Sequence, residues 1–194
     1  MPIRFVGGSS PGGNDTLSGA NSPNNLYGDP LEIIDGQGGN DTLIGGIGGV
    51  NNLYGDAPNT QGAFYRSGDD TLVSADRSTD NMWGDFQSHS GSVTTETFGA
   101  DTFVFGPHNG QDVINDFTAS QSGLPQNELD LIEISGFKKL DSFSDLTILP
   151  VDTNGDGTND SSMIQFDKND TVTVLGYNQQ DPAHTLAEAD FMFT

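Results

Sequence analysis

Two short motifs alternate along the first half of this 194-residue chain, and their phase leaves few folds open. The first reads Asn14-Asp15-Thr16-Leu17, Asn40-Asp41-Thr42-Leu43, Asp69-Asp70-Thr71-Leu72 and Ala100-Asp101-Thr102-Phe103, each behind a glycine at 13, 39, 68 or 99. The second reads Asn24-Asn25-Leu26-Tyr27-Gly28-Asp29, Asn51-Asn52-Leu53-Tyr54-Gly55-Asp56 and Asp80-Asn81-Met82-Trp83-Gly84-Asp85. Inside each unit the key apolar residues lie nine or ten apart, and the unit recurs every 26 to 31 residues. A glycine turn followed by one apolar residue gives a very short strand, with that side chain inward and its neighbours outward. Such a strand cannot bury its side chain alone, so successive rows must stack into a solenoid.

Stacked rows also stack their turns. That brings Asp and Asn side chains and turn carbonyls together between rows, an oxygen-rich setting of the kind a hard Ca²⁺ ion takes and a strictly octahedral Mg²⁺ does not. The candidate ligands in the rows are Asp15, Asn24, Asp29, Asp41, Asn51, Asp56, Asp70, Asp80, Asp85 and Asp101. For any one copy, plain turn formation explains the Asp or Asn equally well; four copies in phase beside three of the companion motif favour Ca²⁺. Composition agrees: the acids are 23 Asp against 5 Glu, and Leu, Ile, Val and Phe make up only 45 of 194 residues. That apolar fraction sits just above the roughly 20% below which a highly charged chain stays disordered, so folding needs help.

The Gly-x-Asp-x-apolar rows at 39–43 and 68–72 resemble the calcium-binding nonapeptide repeats of the RTX (repeats-in-toxin, hemolysin-type) family, over about residues 10–117. The pattern departs where Asn24 and Asn51 stand in place of aspartate, because an amide brings an oxygen ligand but no charge. The resemblance implies a secreted protein that folds on Ca²⁺, exported by type I secretion machinery. The fold expected is all-β: a parallel β-roll or β-helix solenoid over 1–117, then a β-rich C-terminal capping domain over 118–194 that carries the secretion signal. The ending Asp190-Phe191-Met192-Phe193-Thr194 resembles such a signal, although Phe191 and Phe193 also read as inward positions of a last strand. The resemblance further implies that Asp112, Asp116 and Asp130 complete the last calcium sites.

Three blocks break the period, 30–37, 57–67 and 86–98, and are expected to be inserted loops; Ile34, nine before Leu43, leaves a degenerate row as the alternative. Beyond them, alternating runs at 146–151, 162–166 and 171–175 read as strands, with a short helix near 186–189. Asp152, Asn154, Asp156, Gly157 and Asp160 have the spacing of an EF-hand-like loop, broken at its twelfth position by Met163. It is expected at a hairpin tip, with Asp167 or water as the seventh ligand, or else as a solvated turn. One ion per stacked pair of turns plus this loop gives on the order of six to eight ions.

The formal charge of −22 argues against nucleic acid and anionic membrane partners, which bind through Lys and Arg. Cysteine chemistry is excluded by the lack of cysteine, and residues 1–10 have neither the basic nor the apolar region of a conventional export signal. His89, His108 and His184 are isolated, no catalytic motif is present, and the rows begin too early for a preceding catalytic domain, so a non-enzyme is expected. Tyr27, Tyr54 and Trp83 each follow an inward residue and point outward. They form a platform for sugar rings unless the blocks, with Phe64, Tyr65 and Phe86, fold over them. Three functions therefore stand: a secreted calcium-binding protein, a calcium-dependent module for extracellular polysaccharide resembling the R-modules of alginate epimerases, or a self-assembling surface or matrix protein.

Overall fold

The computed structural model describes residues 12–21, 23–90, 95–179 and 184–194; residues 1–10, read above for an export signal, lie outside them. The chain is nearly all β and winds as a parallel solenoid of about four turns. The first turn holds β1 (Thr16–Ser18), β2 (Asn24–Tyr27) and β3 (Glu32–Gln37). The second holds β4 (Thr42–Ile44), β5 (Gly49–Tyr54) and β6 (Asn59–Arg66), and the third β7 (Thr71–Val73), β8 (Ser78–Trp83), β9 (Ser88–Ser90) and β10 (Thr95–Thr97). The fourth has β11 (Thr102–Phe105) and β12 (Gln111–Ile114), followed by β13 (Leu131–Ile134).

Like strands stack on like strands. Sheet A runs β1, β4, β7, β11, β13, and sheet B runs β2, β5, β8, β12, all parallel and with the repeats in register: Leu17, Leu43 and Leu72 align, as do Leu26, Leu53 and Met82. These residues, continued by Phe103 and Ile132 on one sheet and Ile114 on the other, are buried in one cluster between the two sheets. Each such side chain contributes about 1.5–3 kcal/mol by leaving water. The core, one apolar residue per strand in β1, β2, β4, β5, β7 and β8 and two in β11 and β13, is therefore extended by stacking rather than thickened.

The three blocks are not inserted loops. They form a third parallel sheet, C, in which β3 pairs with β6 and β6 with both β9 and β10. Each block leaves and rejoins the solenoid at rows already one strand spacing apart, so the excursions inherit that spacing and hydrogen-bond to one another. They bury a small separate core of Ile33, Ala57 and Tyr65 with Phe86 against it. Ile34, the residue that suggested a degenerate row, is 61% exposed, and its neighbour Ile33 points inward instead. Strand alternation sets these two faces, and the register shift between Ile34 and Gly36 then brings Gly36 rather than Asp35 inward.

The C-terminal segment, expected as a β-rich cap over 118–194, continues the two main sheets. β14 (Thr147–Val151), β15 (Ser161–Gln165) and β16 (Thr171–Leu175) extend sheet B, with β16 parallel to β12 and the other two antiparallel beyond it. β17 (Phe191–Phe193) then returns to sheet A beside β13. Ile164, Val172, Val174 and Phe191 join the same core cluster as Leu17, so the boundary expected at 117 falls inside one continuous core. Phe191 is buried as the inward residue of a last strand, and the helix expected near 186–189 is a single 3-10 turn at Glu188–Asp190. Among the described residues no helix is long and apolar enough to cross a membrane.

Candidate metal centre

The Asp and Asn residues of the repeats separate into two corners with different chemistry. At the corner between sheets A and B stand Asn24, Asn51, Asp80 and Asp112, all buried. Asn24 Nδ2 donates to Asn51 Oδ1 (2.8 Å), Asn51 Nδ2 to Asp80 Oδ1 (2.6 Å), and the Asp80 backbone N–H to Asp112 Oδ1 (2.8 Å). Asp80 Oδ2 accepts from Ala75 N and Ser78 Oγ, and Asp112 Oδ2 from Ser74 Oγ and Asn109 Nδ2. Every carboxylate oxygen of this column has a protein donor. Asn24 and Asn51, whose amides looked like weakened ligands, are the donors that close the ladder, and Asp170 extends it by accepting from His108 N and Gly110 N.

The other corner, where each turn of chain leaves for sheet C and returns, is different. Asp15, Asp41, Asp70, Asp101 and Asp130 precede the sheet A strands, and each from Asp41 onward reaches back one row. Asp41 Oδ1 accepts Asp15 N (2.6 Å), Asp70 Oδ1 accepts Asp41 N (2.6 Å), Asp101 Oδ1 accepts Asp70 N (2.8 Å) and Asp130 Oδ1 accepts Asp101 N (2.9 Å). The second oxygens of Asp41, Asp70 and Asp101 are buried without a hydrogen-bond partner. They lie against the turns that end the sheet B strands: a β-carbon on Gly28, Gly55 or Gly84 would stand 2.1, 2.1 or 1.9 Å from them, which is why those positions carry no side chain.

Asp29, Asp56 and Asp85 follow those glycines and bridge the neck of each sheet C excursion. Their carboxylates accept the backbone N–H of Gly39, Gly68 and Gly99 respectively. Asp29 Oδ1 is a fourth buried oxygen without a partner. Asp56 gains a donor that no repeat pattern announces, the hydroxyl of the fully buried Tyr65, at 2.9 Å. Asp116 and Asp130 terminate the array: Asp116 accepts Gly84 N and Asp85 N, and the second oxygen of Asp130 accepts Thr118 N at 2.7 Å. With Asp112, all three residues expected to complete the last sites have their oxygens engaged by the chain itself.

The electrostatics of this corner follow from burial. Loss of solvent pushes the carboxyls of Asp29 and Asp85 up to about 6, Asp41 to about 7 and Asp116 to about 8, from an ordinary value of 3.8. It drives Asp56, Asp70, Asp101 and Asp130 well above the ordinary range, with neighbouring carboxylates adding to the rise. No lysine or arginine is among the groups acting on these carboxyls. An ionised carboxylate held away from water without a counter-charge is strongly unfavourable, so the arrangement suits a bound cation. Among the described residues no three acidic or histidine side chains converge on one point. Across the corner the carboxylate of Asp29 raises Asp41, that of Asp70 raises Asp56 and that of Asp85 raises Asp101, so these three pairs are the natural units.

The EF-hand-like loop does sit at the tip of the hairpin formed by β14 and β15, but its side chains turn onto the loop backbone. Asp152 accepts Gly155 N and Gly157 N, Asn154 accepts Asp156 N, Asp156 accepts Thr158 N, and Asp160 accepts Thr153 N and Oγ1. The structure does not gather them. Asp167, the expected seventh ligand, lies at the opposite end of β15, where it caps its own turn through Asn169 N and Asp170 N.

Tyr27, Tyr54 and Trp83 form the predicted line and stay half-buried; Tyr65 and Phe86 pack on each other instead of covering them, and the Phe64 side chain lies outside the described residues. Their rings stack face to face, 4.7 Å apart with interplanar angles of 5° and 13°. Both faces of Tyr54 and the inner faces of Tyr27 and Trp83 are used within the stack, which leaves mainly ring edges along the side of the line.

No family model matches this chain, and no curated protein does. Among solved structures, the chain is similar to the extracellular lipase LipA from Serratia marcescens. It covers 94% of this chain at 14% identity and a TM-score of 0.37. The chain spans 38% of that lipase's length.

Proposed function

We propose that this chain is a secreted calcium-binding solenoid of the RTX type that folds as it takes up Ca²⁺ outside the cell. The observation that carries this reading is the column of buried carboxylates with four partnerless oxygens, on Asp29, Asp41, Asp70 and Asp101. The pairs Asp29/Asp41, Asp56/Asp70 and Asp85/Asp101 hold the ions, with turn carbonyls completing the oxygen shell that Ca²⁺ prefers. That gives about three ions rather than six to eight, because the corner between sheets A and B is already closed by hydrogen bonds and the Asp152 loop is turned on itself. Bound Ca²⁺ supplies positive charge at the neck of each sheet C excursion; the protein's part is to aim carboxylates from two successive strands at one place. It acts by binding, not by catalysis.

The high net negative charge supports export as a metal-free chain through type I machinery. Without cations the acids repel one another and oppose a thin core, which favours a threadable chain, and a ligand that binds only the folded state then drives folding. Circular dichroism in EGTA followed by millimolar Ca²⁺ tests this: coil should convert to β-structure, with about three ions counted by calorimetry. A spectrum and melting temperature unaffected by either addition would overturn it.

A further inference from the structure

The turn from sheet A to sheet B in the third and fourth rows carries a feature unrelated to the carboxylate columns. Gly48, Arg77 and His108 occupy the same place in successive turns, linked by Gly48 N to Asp76 O (3.1 Å) and Arg77 N to His108 O (2.6 Å). All three have left-handed backbone, with φ of 71°, 58° and 72°. Glycine adopts that conformation freely, whereas Arg and His hold it against steric strain. Two large polar side chains are thereby kept, exposed and one strand spacing apart, where the second row has glycine.

They border a cavity of about 330 Å³ whose other walls are Gly110, Asn169 and Asp170. Gly110 stays a glycine because its φ is 98° and a β-carbon there would lie 2.1 Å from the Ser78 carbonyl oxygen. The far wall is rigid, because Asp170 is 2% exposed and accepts both His108 N (2.8 Å) and Gly110 N (3.2 Å). In a chain with 28 acidic residues and only 6 basic ones, no ion pair engages Arg77 among the described residues.

We propose that this cavity binds a small monocarboxylate that carries a hydroxyl group beside its carboxylate. The guanidinium of Arg77 matches a planar carboxylate with two parallel N–H donors, and the His108 ring N–H adds a third. Asp170, whose oxygens each retain an accepting lone pair, and the Asn169 amide receive the hydroxyl. One permanent positive charge inside a strongly negative field favours a monoanion over phosphate or a polyanion, which the surrounding acids repel. The backbone strain at Arg77 and His108 then has a purpose that a merely structural turn would not need.

The test uses the whole ¹⁵N-labelled protein in millimolar Ca²⁺, titrated with L-lactate and, separately, with propionate and inorganic phosphate. Saturable shifts at the amides of Gly110 and Asn169 are expected with lactate, at least several-fold tighter than with propionate or phosphate. Arg77→Gly should melt at the same or a higher temperature, since it relieves the left-handed strain, yet lose at least tenfold in lactate affinity. No saturable shift with lactate in the wild type, equal affinity in Arg77→Gly, or phosphate binding as tightly as lactate would each overturn the proposal.

Discussion

Asp70 accepts the backbone N–H of Asp41 through Oδ1 at 2.6 Å and leaves Oδ2 buried and partnerless against the Gly55 turn. One oxygen sets the register between rows and the other is left over, so register and cation demand are set by the same side chain. Asp70→Asn separates the two roles. It keeps an acceptor for Asp41 N but removes the charge, so in EGTA the variant should melt several degrees above the wild type. In Ca²⁺ the order should reverse, with one fewer ion bound by calorimetry. Identical melting temperatures in both conditions would show that Asp70 holds no ion.

The pH response of the metal-free protein has a definite sign. The carboxyls of Asp29, Asp85, Asp41 and Asp116 are raised by burial from 3.8 to about 6, 6, 7 and 8. Above the unfolded value the folded chain therefore holds protons that the unfolded chain has released, and its stability falls as pH rises through the folded values. In chelator the melting temperature should be highest at or below about pH 4 and drop steadily to about pH 8. Protons compete with Ca²⁺ for the same oxygens, so calcium affinity should fall over the same interval as the pH is lowered. A chelated protein that melts higher at pH 8 than at pH 5 would contradict this.

Tyr65 ties sheet C to the carboxylate column through its hydrogen bond to Asp56. Tyr65→Phe keeps the ring against Phe86 and removes only the hydroxyl. A hydrogen bond to a charged or partly charged group is worth about 1.5–3 kcal/mol, so the melting temperature should drop by several degrees. Amide exchange should accelerate in β3 and β6 before it does in sheets A and B. Uniform acceleration across all three sheets would mean that the excursions are not a separable unit.

The core makes a contrast between neighbours in type but not in place. Leu53 is fully buried and Leu53→Ala should lose about 2–5 kcal/mol, whereas Ile34 is 61% exposed and Ile34→Ala should change stability by less than about 0.5 kcal/mol. Chemical denaturation in Ca²⁺ measures both. A large loss at Ile34 would place that residue, rather than Ile33, inside sheet C.

Much of this molecule is legible in its sequence because a solenoid's order is local. The spacing of Leu17, Leu26, Leu43, Leu53, Leu72 and Met82 fixed which residues point inward, and stacking followed from strands too short to bury anything alone. The recurring Asp residues likewise announced buried, aligned carboxylates. The third sheet was not legible: its strands carry little repeated pattern, and they pair because the necks at Asp29, Asp56 and Asp85 hold them one strand spacing apart. Tyr65 as a donor to Asp56 had no signal at all, since the contact joins an excursion to a column in the main solenoid.

The row period, the inward residues and the excess of acidic over basic groups follow from residue order alone, because they depend on neighbours a few residues apart or one row away. Which corner is closed and which is left open depends on how the rows meet in space. Asn24, Asn51, Asp80 and Asp112 look like ligands in the sequence, but they meet donors across rows and satisfy one another. Asp29, Asp41, Asp70 and Asp101 look the same and keep oxygens that no donor reaches. The difference lies in whether an N–H faces each carboxylate across about one strand spacing, a matter of how three sheets are wound together rather than of residue type.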